Sequence, residues 1–111
     1  MAIVERNLER TGLDARARVV RRDVAAFLAG GSAAVAEAPF GCVLVDPPYA
    51  QVDDLRASLE RLGDPAAGWL DLGALVVAKH FWKDALPAHA LNLVRIRERR
   101  FGETALSVYR R

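Results

Sequence analysis

The sequence predicts an α/β protein whose sheet is mostly parallel and ends in an antiparallel β-hairpin. Two apolar runs, residues 41–45 and 72–78, do not alternate with polar residues, which is typical of strands covered on both faces. Segments with helical spacing of apolar residues separate these runs. An alternating segment, residues 91–99, is joined by a turn at Phe101-Gly102-Glu103 to a last strand at 104–109. The expected order is therefore helix, strand, helix, strand, helix, strand and then the hairpin.

The first forty residues are expected to contain two helices and one short strand. Residues 2–11 form the first helix, because apolar side chains recur on one face and Gly12 follows as a C-terminal stop. Residues 17–22 are predicted to be a strand. Asp23 is expected to cap the second helix with its side-chain oxygen. That helix ends at Gly30-Gly31, and the Ala-rich segment after it is either more helix or a loop.

The second half of the chain supplies the remaining elements. The strand at 41–45 ends at Asp46, and a helix is expected to start at Asp53 or Asp54. If residues 91–99 form a strand, its period of two places three arginines on one face. These arginines are Arg95, Arg97 and Arg99, and the opposite face carries Val94 and Ile96.

The composition of the 111-residue chain is that of one soluble domain. Its 52% hydrophobic content excludes a disordered chain, and no apolar stretch is long enough to span a membrane. The N-terminus does not resemble a signal peptide, so we expect a cytoplasmic protein. The lone Cys42 excludes an internal disulfide, and we expect no metal site.

Positive charge is concentrated at the two ends of the chain. The formal net charge of +2 divides into +2 for residues 1–23, −4 for 24–94 and +4 for 95–111. Fourteen of the sixteen basic residues are Arg, whose planar guanidinium binds phosphate in a bidentate manner. A GC-rich genome explains the abundance of Arg equally well, so the charge leaves a nucleic-acid partner open.

One short motif, Asp46-Pro47-Pro48-Tyr49, carries specific chemistry. It follows the carboxyl end of an apolar strand, where open α/β sheets place their ligands. The prolines restrict the backbone and lack N–H donors, so carbonyl acceptors remain. Asp46 adds a carboxylate acceptor and Tyr49 a flat face for stacking. These groups suit an exocyclic amine on a planar base, whereas the simpler alternative is a turn that only ends the strand.

This tetrapeptide resembles motif IV of the S-adenosylmethionine-dependent amino-methyltransferases that act on nucleobases. Flanking segments are similar to the RsmD-type 16S rRNA (guanine-N2)-methyltransferases, and the resemblance extends over essentially the whole chain. These segments are Asn7-Leu8, Gly12-Leu13, Arg18-Val19-Val20, Asp23, Gly68-Trp69-Leu70 and Arg99-Arg100-Phe101-Gly102-Glu103-Thr104. The resemblance implies one truncated catalytic domain, residues 1–111, equivalent to the C-terminal, motif IV-containing part of a Rossmann-like class I methyltransferase.

The resemblance also implies a cofactor, a substrate and a set of site residues. S-adenosylmethionine would place its adenine amino group near the carboxylate of Asp23 and the backbone of Val24, with Asp46 also beside the cofactor. Asp46, Pro47, Pro48 and Tyr49 would surround a guanine of 16S rRNA or of a small-subunit assembly intermediate, extruded or unpaired for the reaction. The candidate RNA contacts, for which a solvated surface is an equal or better interpretation, are Arg95, Arg97, Arg99, Lys79 and His80.

The chain departs from this family in one major respect. No strand in it is followed by a Gly-rich loop, and Gly30-Gly31-Ser32 follows a helix instead. The family's first two strand–helix units are therefore expected to be absent. In the family's sheet order, 3-2-1-4-5-7-6, residues 17–22 would be strand 3 and residues 41–46 strand 4. Either these two strands pair directly, or a second chain completes the sheet, or the gene product is truncated.

Two other functions stay open on the residues alone. DNA adenine-N6 and cytosine-N4 methyltransferases use the same tetrapeptide chemistry, although the chain leaves no room for their separate target-recognition region. A non-catalytic RNA-binding remnant would keep the Arg-rich ends and lose the cofactor. Binding of radiolabelled cofactor would separate an enzyme from such a remnant.

Overall fold

The computed structural model describes residues 2–111, which contain three α-helices and one five-stranded sheet. The helices are α1 (Ala2–Thr11), α2 (Val24–Ala29) and α3 (Val52–Gly63). The strands are β1 (Phe40–Val45), β2 (Leu70–Phe81), β3 (His89–Ala90), β4 (Leu93–Phe101) and β5 (Thr104–Arg110). Residues 31–39 form a loop without a helix. The helices in this range are too short or too polar to cross a lipid bilayer.

The α/β class is confirmed, but the expectation of a mostly parallel sheet is wrong. The strand order is β1-β2-β5-β4-β3, and its first four strands stand in the order expected for strands 4, 5, 7 and 6. Within residues 2–111, β1 and β2 are parallel, whereas the other three neighbouring pairs are antiparallel. The β4–β5 hairpin accounts for part of this, because a tight turn joins antiparallel strands. Parallel strands such as β1 and β2 need a crossover between them, which α3 provides.

The predicted strand at residues 17–22 does not form. The segment has no regular secondary structure and is mostly exposed, and Arg18 is tied to Glu37 of the following loop by an ion pair of 2.6 Å. It does not pair with β1, which lies at the edge of the sheet. A strand is stable only when a neighbour satisfies its backbone groups. Residues 17–22 have no such neighbour in the described chain, so the expected strands 3 and 4 do not pair directly.

The hydrophobic core lies between α3 and one face of the sheet. Leu55, Leu59 and Leu62 recur at helical spacing on α3 and are at most 4% exposed. They pack in one cluster with Val76 and Ala78 of β2, both fully buried. The aromatic side chains of Trp69 and Tyr109 complete this cluster. By contrast, α1 has no buried residue, so its apolar face is exposed.

The opposite face of the sheet, here called the open face, is largely exposed in the described chain. It carries Leu44 of β1, Val77 of β2 and Val108 of β5, which are neighbours in the strand register. Leu44 is 69% exposed. The prediction that β1 is covered on both faces is therefore wrong, because α2 and α3 lie on one side of it only.

A bulge in β4 separates the three arginines predicted to share a face. Arg95 pairs with Tyr109 and Arg97 pairs with Val108, so Ile96 has no partner across the strand. An extra residue in one strand shifts the alternation of side chains by one position. Arg95 therefore lies on the core face with Tyr109, whereas Arg97 and Arg99 lie on the open face. The prediction of one shared face is wrong for this reason.

Candidate active site

The Asp46–Tyr49 motif forms the link between β1 and α3. Asp46 directly follows β1, and Pro48 has extended backbone angles (φ −54°, ψ 146°). Tyr49 begins a short 3₁₀ turn that leads into α3, and the carbonyl of Pro48 accepts a hydrogen bond of 2.9 Å from the amide of Gln51. Because both prolines have a fixed φ, the motif has little conformational freedom at the end of β1.

The carboxylate of Asp46 lies beside a single lysine. Val45 pairs with Ala78 in parallel register, which makes the next residues along the strands, Asp46 and Lys79, neighbours. The Nζ of Lys79 lies 3.9 Å from Oδ2 of Asp46, and both side chains are about half exposed. An ion pair this long and exposed is weak, and the carboxylate retains capacity to accept other hydrogen bonds.

The ring of Tyr49 is held in place by side chains of β2 and β5. Its hydroxyl forms a hydrogen bond with the hydroxyl of Thr104, the first residue of β5. The ring centroid lies 5.9 Å from that of Phe81, with the planes tilted by 51°. Tyr49 is still 42% exposed. A fixed and partly exposed aromatic ring beside Asp46 provides a surface on which a planar ligand can stack.

A cleft of about 590 Å³ between α2, β1 and α3 brings the predicted cofactor residues together. Asp23 and Val24 line it from the start of α2, and Asp46 and Pro47 line it from the end of β1. The Oδ2 of Asp23 accepts a hydrogen bond of 3.0 Å from the amide of Ala26 and so caps α2, as the sequence predicts. Asp23 and Asp46, which are 23 positions apart in the sequence, thus border one cavity.

Of the predicted RNA contacts, His80 is buried and Arg95 is partly buried and bonded within the chain. His80 is 3% exposed. Its Nδ1 lies 2.9 Å from the carbonyl of Phe81 and its Nε2 lies 2.8 Å from the hydroxyl of Ser107. Because a carbonyl only accepts, Nδ1 donates to Phe81, and in the neutral ring Nε2 accepts from Ser107. The half-buried Arg95 donates to the carbonyl of Leu86 at 3.1 Å and pairs with Glu98 at 3.2 Å.

Sequence reasoning did not identify Thr104 or Phe81 as parts of this site. Thr104 lies 55 residues from Tyr49 in the chain, and only the pairing of β2 with β5 brings it close. In the sequence, Phe81-Trp82 is better explained as cover for the sheet than as a stacking pair, yet the ring of Phe81 lies beside Tyr49 of the motif. Within residues 2–111, no group of three or more His, Cys, Asp or Glu side chains has the geometry of a metal site.

Comparisons with known proteins give a consistent classification. The profile of the family described as conserved hypothetical protein 95 matches residues 1–110. Among solved structures, the candidate methyltransferase yhhF of Escherichia coli is 30% identical, with a TM-score of 0.71 over 97% of this chain. A hypothetical protein of Thermus thermophilus is 33% identical, with a TM-score of 0.71 over 96% of this chain. No curated protein matches the chain.

The solved relatives are considerably longer than this chain. It spans 54% of the Escherichia coli protein and 54% of the Thermus thermophilus protein. The rRNA methyltransferase aviRa of Streptomyces viridochromogenes is 18% identical, with a TM-score of 0.58 over 80% of this chain and 36% of its own, which shows a shared fold. Together these similarities indicate a methyltransferase family.

Proposed function

Because the chain belongs to the family described as conserved hypothetical protein 95, we propose that it is the catalytic half of a 16S rRNA (guanine-N2)-methyltransferase. The observation that carries this proposal is the placement of Asp46 and Tyr49 at the end of β1, beside a cleft that Asp23 also lines. The 30% identity to a candidate methyltransferase supports methyl transfer, and the fold shared with an rRNA methyltransferase is consistent with an RNA substrate.

The cleft has the chemistry needed for the adenosine end of S-adenosylmethionine. Asp23 is a carboxylate acceptor at one end, suited to the adenine amino group, and Val24 lies beside it. The walls are apolar and so suit a planar ring; they include Leu28, Val43, Leu55 and Leu62. When bound, this cofactor supplies an electrophilic methyl group. Its methionine end would need further residues, since the chain has no Gly-rich loop after a strand.

On the substrate side, the motif would hold the amine of the target base. The carboxylate of Asp46 and the carbonyl of Pro47 would accept its two protons, while Tyr49 stacks against the ring. Accepting these hydrogen bonds raises electron density on the amine nitrogen and aims its lone pair at the methyl carbon. Methylation of the amine would leave its nitrogen with one proton too many, and the carboxylate of Asp46 would accept that proton. Stacking on Tyr49 would return about 1–3 kcal/mol of the cost of unpairing the base.

We also propose that further polypeptide completes the sheet at β1, either as part of a longer chain or as a second chain. The free edge of β1 and the exposed Leu44 support this, because both present surfaces that sheets normally cover. The greater length of the solved relatives supports it as well.

The test uses both the chain itself and a chimera in which the unmatched part of yhhF precedes residue 1. Each is incubated with radiolabelled S-adenosylmethionine and 16S rRNA, and the product nucleoside is identified by mass spectrometry. We expect N2-methylguanosine from the chimera and little product from the chain alone, since the chain lacks the Gly-rich loop expected to hold the methionine end of the cofactor. In the chimera, Asp46→Ala should abolish turnover while cofactor affinity stays within several-fold.

Asp53→Asn is the matched control, because this carboxylate lies on the exposed side of α3 and pairs with Arg56. It should leave turnover unchanged. Methylated adenine or cytosine in DNA would favour a DNA methyltransferase instead. RNA binding without cofactor binding, even in the chimera, would favour a non-catalytic remnant. A collapsed melting transition in Asp46→Ala would assign that residue a structural role.

A further inference from the structure

We propose that the end of the β4–β5 hairpin binds the unpaired RNA nucleotides next to the target base. This inference rests on the proposed function, and it concerns a surface that the Asp46–Tyr49 motif does not include. The surface consists of Trp82, Lys83, Arg99, Arg100 and Phe101, here called the hairpin-end surface. It wraps around the end of the hairpin, because Arg99 and Phe101 lie on the open face and Arg100 lies on the core face. The inference follows from three observations about this surface: it is continuous with the motif, it pairs aromatic with cationic groups, and it is positively charged.

The hairpin-end surface is continuous with the motif through a row of aromatic rings. The ring of Phe81 lies 5.9 Å from Tyr49 on one side and 6.3 Å from Trp82 on the other. Phe101 and Phe81 both pair with Thr104 across the sheet, and Thr104 also binds the hydroxyl of Tyr49. A nucleotide strand that presents one base to Tyr49 therefore has aromatic rings directly beyond it.

The half-buried ring of Trp82 and the exposed ring of Phe101 are each accompanied by a cation. The guanidinium carbon of Arg100 lies 3.6 Å from the centroid of the Trp82 ring, and the Nζ of Lys83 lies 5.2 Å from it. The guanidinium carbon of Arg99 lies 5.6 Å from the ring of Phe101, which is 57% exposed. Flat rings that alternate with cations are the groups that bind single strands, because bases stack on the rings and phosphates meet the cations.

The charge of this surface suits a polyanion. Within residues 2–111, none of Lys83, Arg99 and Arg100 forms an ion pair with a carboxylate. Arg100 donates from Nε to the carbonyl of Gly102 at 2.7 Å, which fixes the guanidinium against the indole and leaves four of its donors for other partners. Holding a cation in advance reduces the entropy lost on binding. Single-stranded RNA satisfies both the rings and the cations.

Binding is measured by fluorescence anisotropy of a labelled single-stranded RNA that contains guanine, without cofactor. We expect Trp82→Ala to weaken binding about tenfold or more, the loss of one stacked base. Arg100→Gln should weaken it by several-fold and lower the slope of log affinity against log salt by about 0.7. A duplex of the same sequence should bind more weakly than the single strand, since its bases are already stacked.

Arg110→Gln is the matched control, because it removes the same charge at the opposite end of β5. Equal losses for Arg100→Gln and Arg110→Gln, or unchanged binding by Trp82→Ala with an unaltered melting temperature, would overturn the inference. In the chimera, Trp82→Ala should raise KM and spare kcat. This readout separates the two proposals. If the chimera transfers no methyl group, the RNA-binding result still stands. If Trp82→Ala does not alter RNA binding, the proposed chemistry at Asp46 still stands.

Discussion

Tyr109 illustrates how one buried polar group ties the sheet to the loop between β2 and β3. It is fully buried, and its hydroxyl donates a hydrogen bond of 2.6 Å to the carbonyl of Pro87. Burial raises the pKa of Tyr109 above its ordinary value of 10.0, the neighbouring Arg95 lowers this pKa and Glu98 raises it. The net shift is upward, because transferring a phenolate into the core costs more than Arg95 returns.

This shift predicts a loss of stability in alkaline solution. A raised pKa means that the folded state holds the proton more tightly, so its contribution is complete below pH 10 and is lost as the pH rises further. Urea unfolding between pH 8 and about 11.5 should show this decline, and Tyr109→Phe should make it shallower. At neutral pH the variant should lose about 1 kcal/mol with the hydrogen bond. An unchanged slope in Tyr109→Phe would refute the assignment.

At the level of single elements, the C-terminal end of α3 packs closely against β3. A Cβ added at Gly63 would collide with the backbone carbonyl oxygen of Ala90 and lie 3.4 Å from Cγ of Leu93. Only glycine allows α3 to approach β3 this closely. This contact sets the position of α3 over the sheet, and therefore the position of the motif at its other end.

Gly63→Ala should lower the free energy of unfolding by about 1–3 kcal/mol, because the obstructing atoms belong to the backbone and cannot rotate away. Gly41→Ala provides the comparison, since a Cβ there meets nothing within 4 Å. Its effect should stay within about 0.5 kcal/mol. Equal effects in thermal or urea unfolding would show that α3 shifts freely over β3.

The bulge in β4 divides its arginines into two groups with different expected effects. Arg97 and Arg99 lie on the open face, so if they bind phosphate, replacing both with Gln should lower the salt slope of RNA binding by about 1.4. Arg95→Gln should leave this slope unchanged and instead reduce stability, because Arg95 binds Glu98 and the carbonyl of Leu86. A slope that is unaltered in the double variant would assign Arg97 and Arg99 to a solvated surface.

At the scale of the whole molecule, one face of the sheet is packed and the other is open. Leucines on the two faces of the sheet therefore differ in how much they contribute to the free energy of unfolding. Leu59 of α3 is fully buried, whereas Leu44 of the open face is 69% exposed. An exposed apolar face beside a free strand edge is a surface that a longer chain or a partner normally covers.

Leu59→Ala should cost about 2–5 kcal/mol of stability in the chain, whereas Leu44→Ala should stay within about 0.5 kcal/mol. In the chimera with the added part of yhhF, Leu44→Ala should become clearly more costly, because the open face would then be buried. Urea unfolding of the chain and of the chimera, each with and without Leu44→Ala, measures this difference. A Leu44→Ala effect that is equally small in the chimera would argue against completion of the sheet at β1.

Local patterns in the sequence are enough to predict the helices, four of the five strands and the position of the motif. These features depend on local chemistry: apolar spacing on α3, the side-chain cap at Asp23, and two prolines that end β1. The motif's own chemistry predicts Asp46 as an acceptor, whereas the cofactor roles of Asp23 and Asp46 rest on a family resemblance, and their shared cleft is consistent with it. Their binding roles stay predictions.

Other features depend on contacts in the tertiary structure and differ from what the local pattern predicts. Residues 17–22 have the composition of a strand but no neighbour to pair with, and Leu44 lies in an apolar run yet faces outward. Periodicity cannot reveal the unpaired residue at Ile96 that turns Arg95 to the core face, nor the long-range pairing that brings Thr104 to Tyr49. Strand pairing and burial depend on residues far away in the chain, so no local pattern contains them.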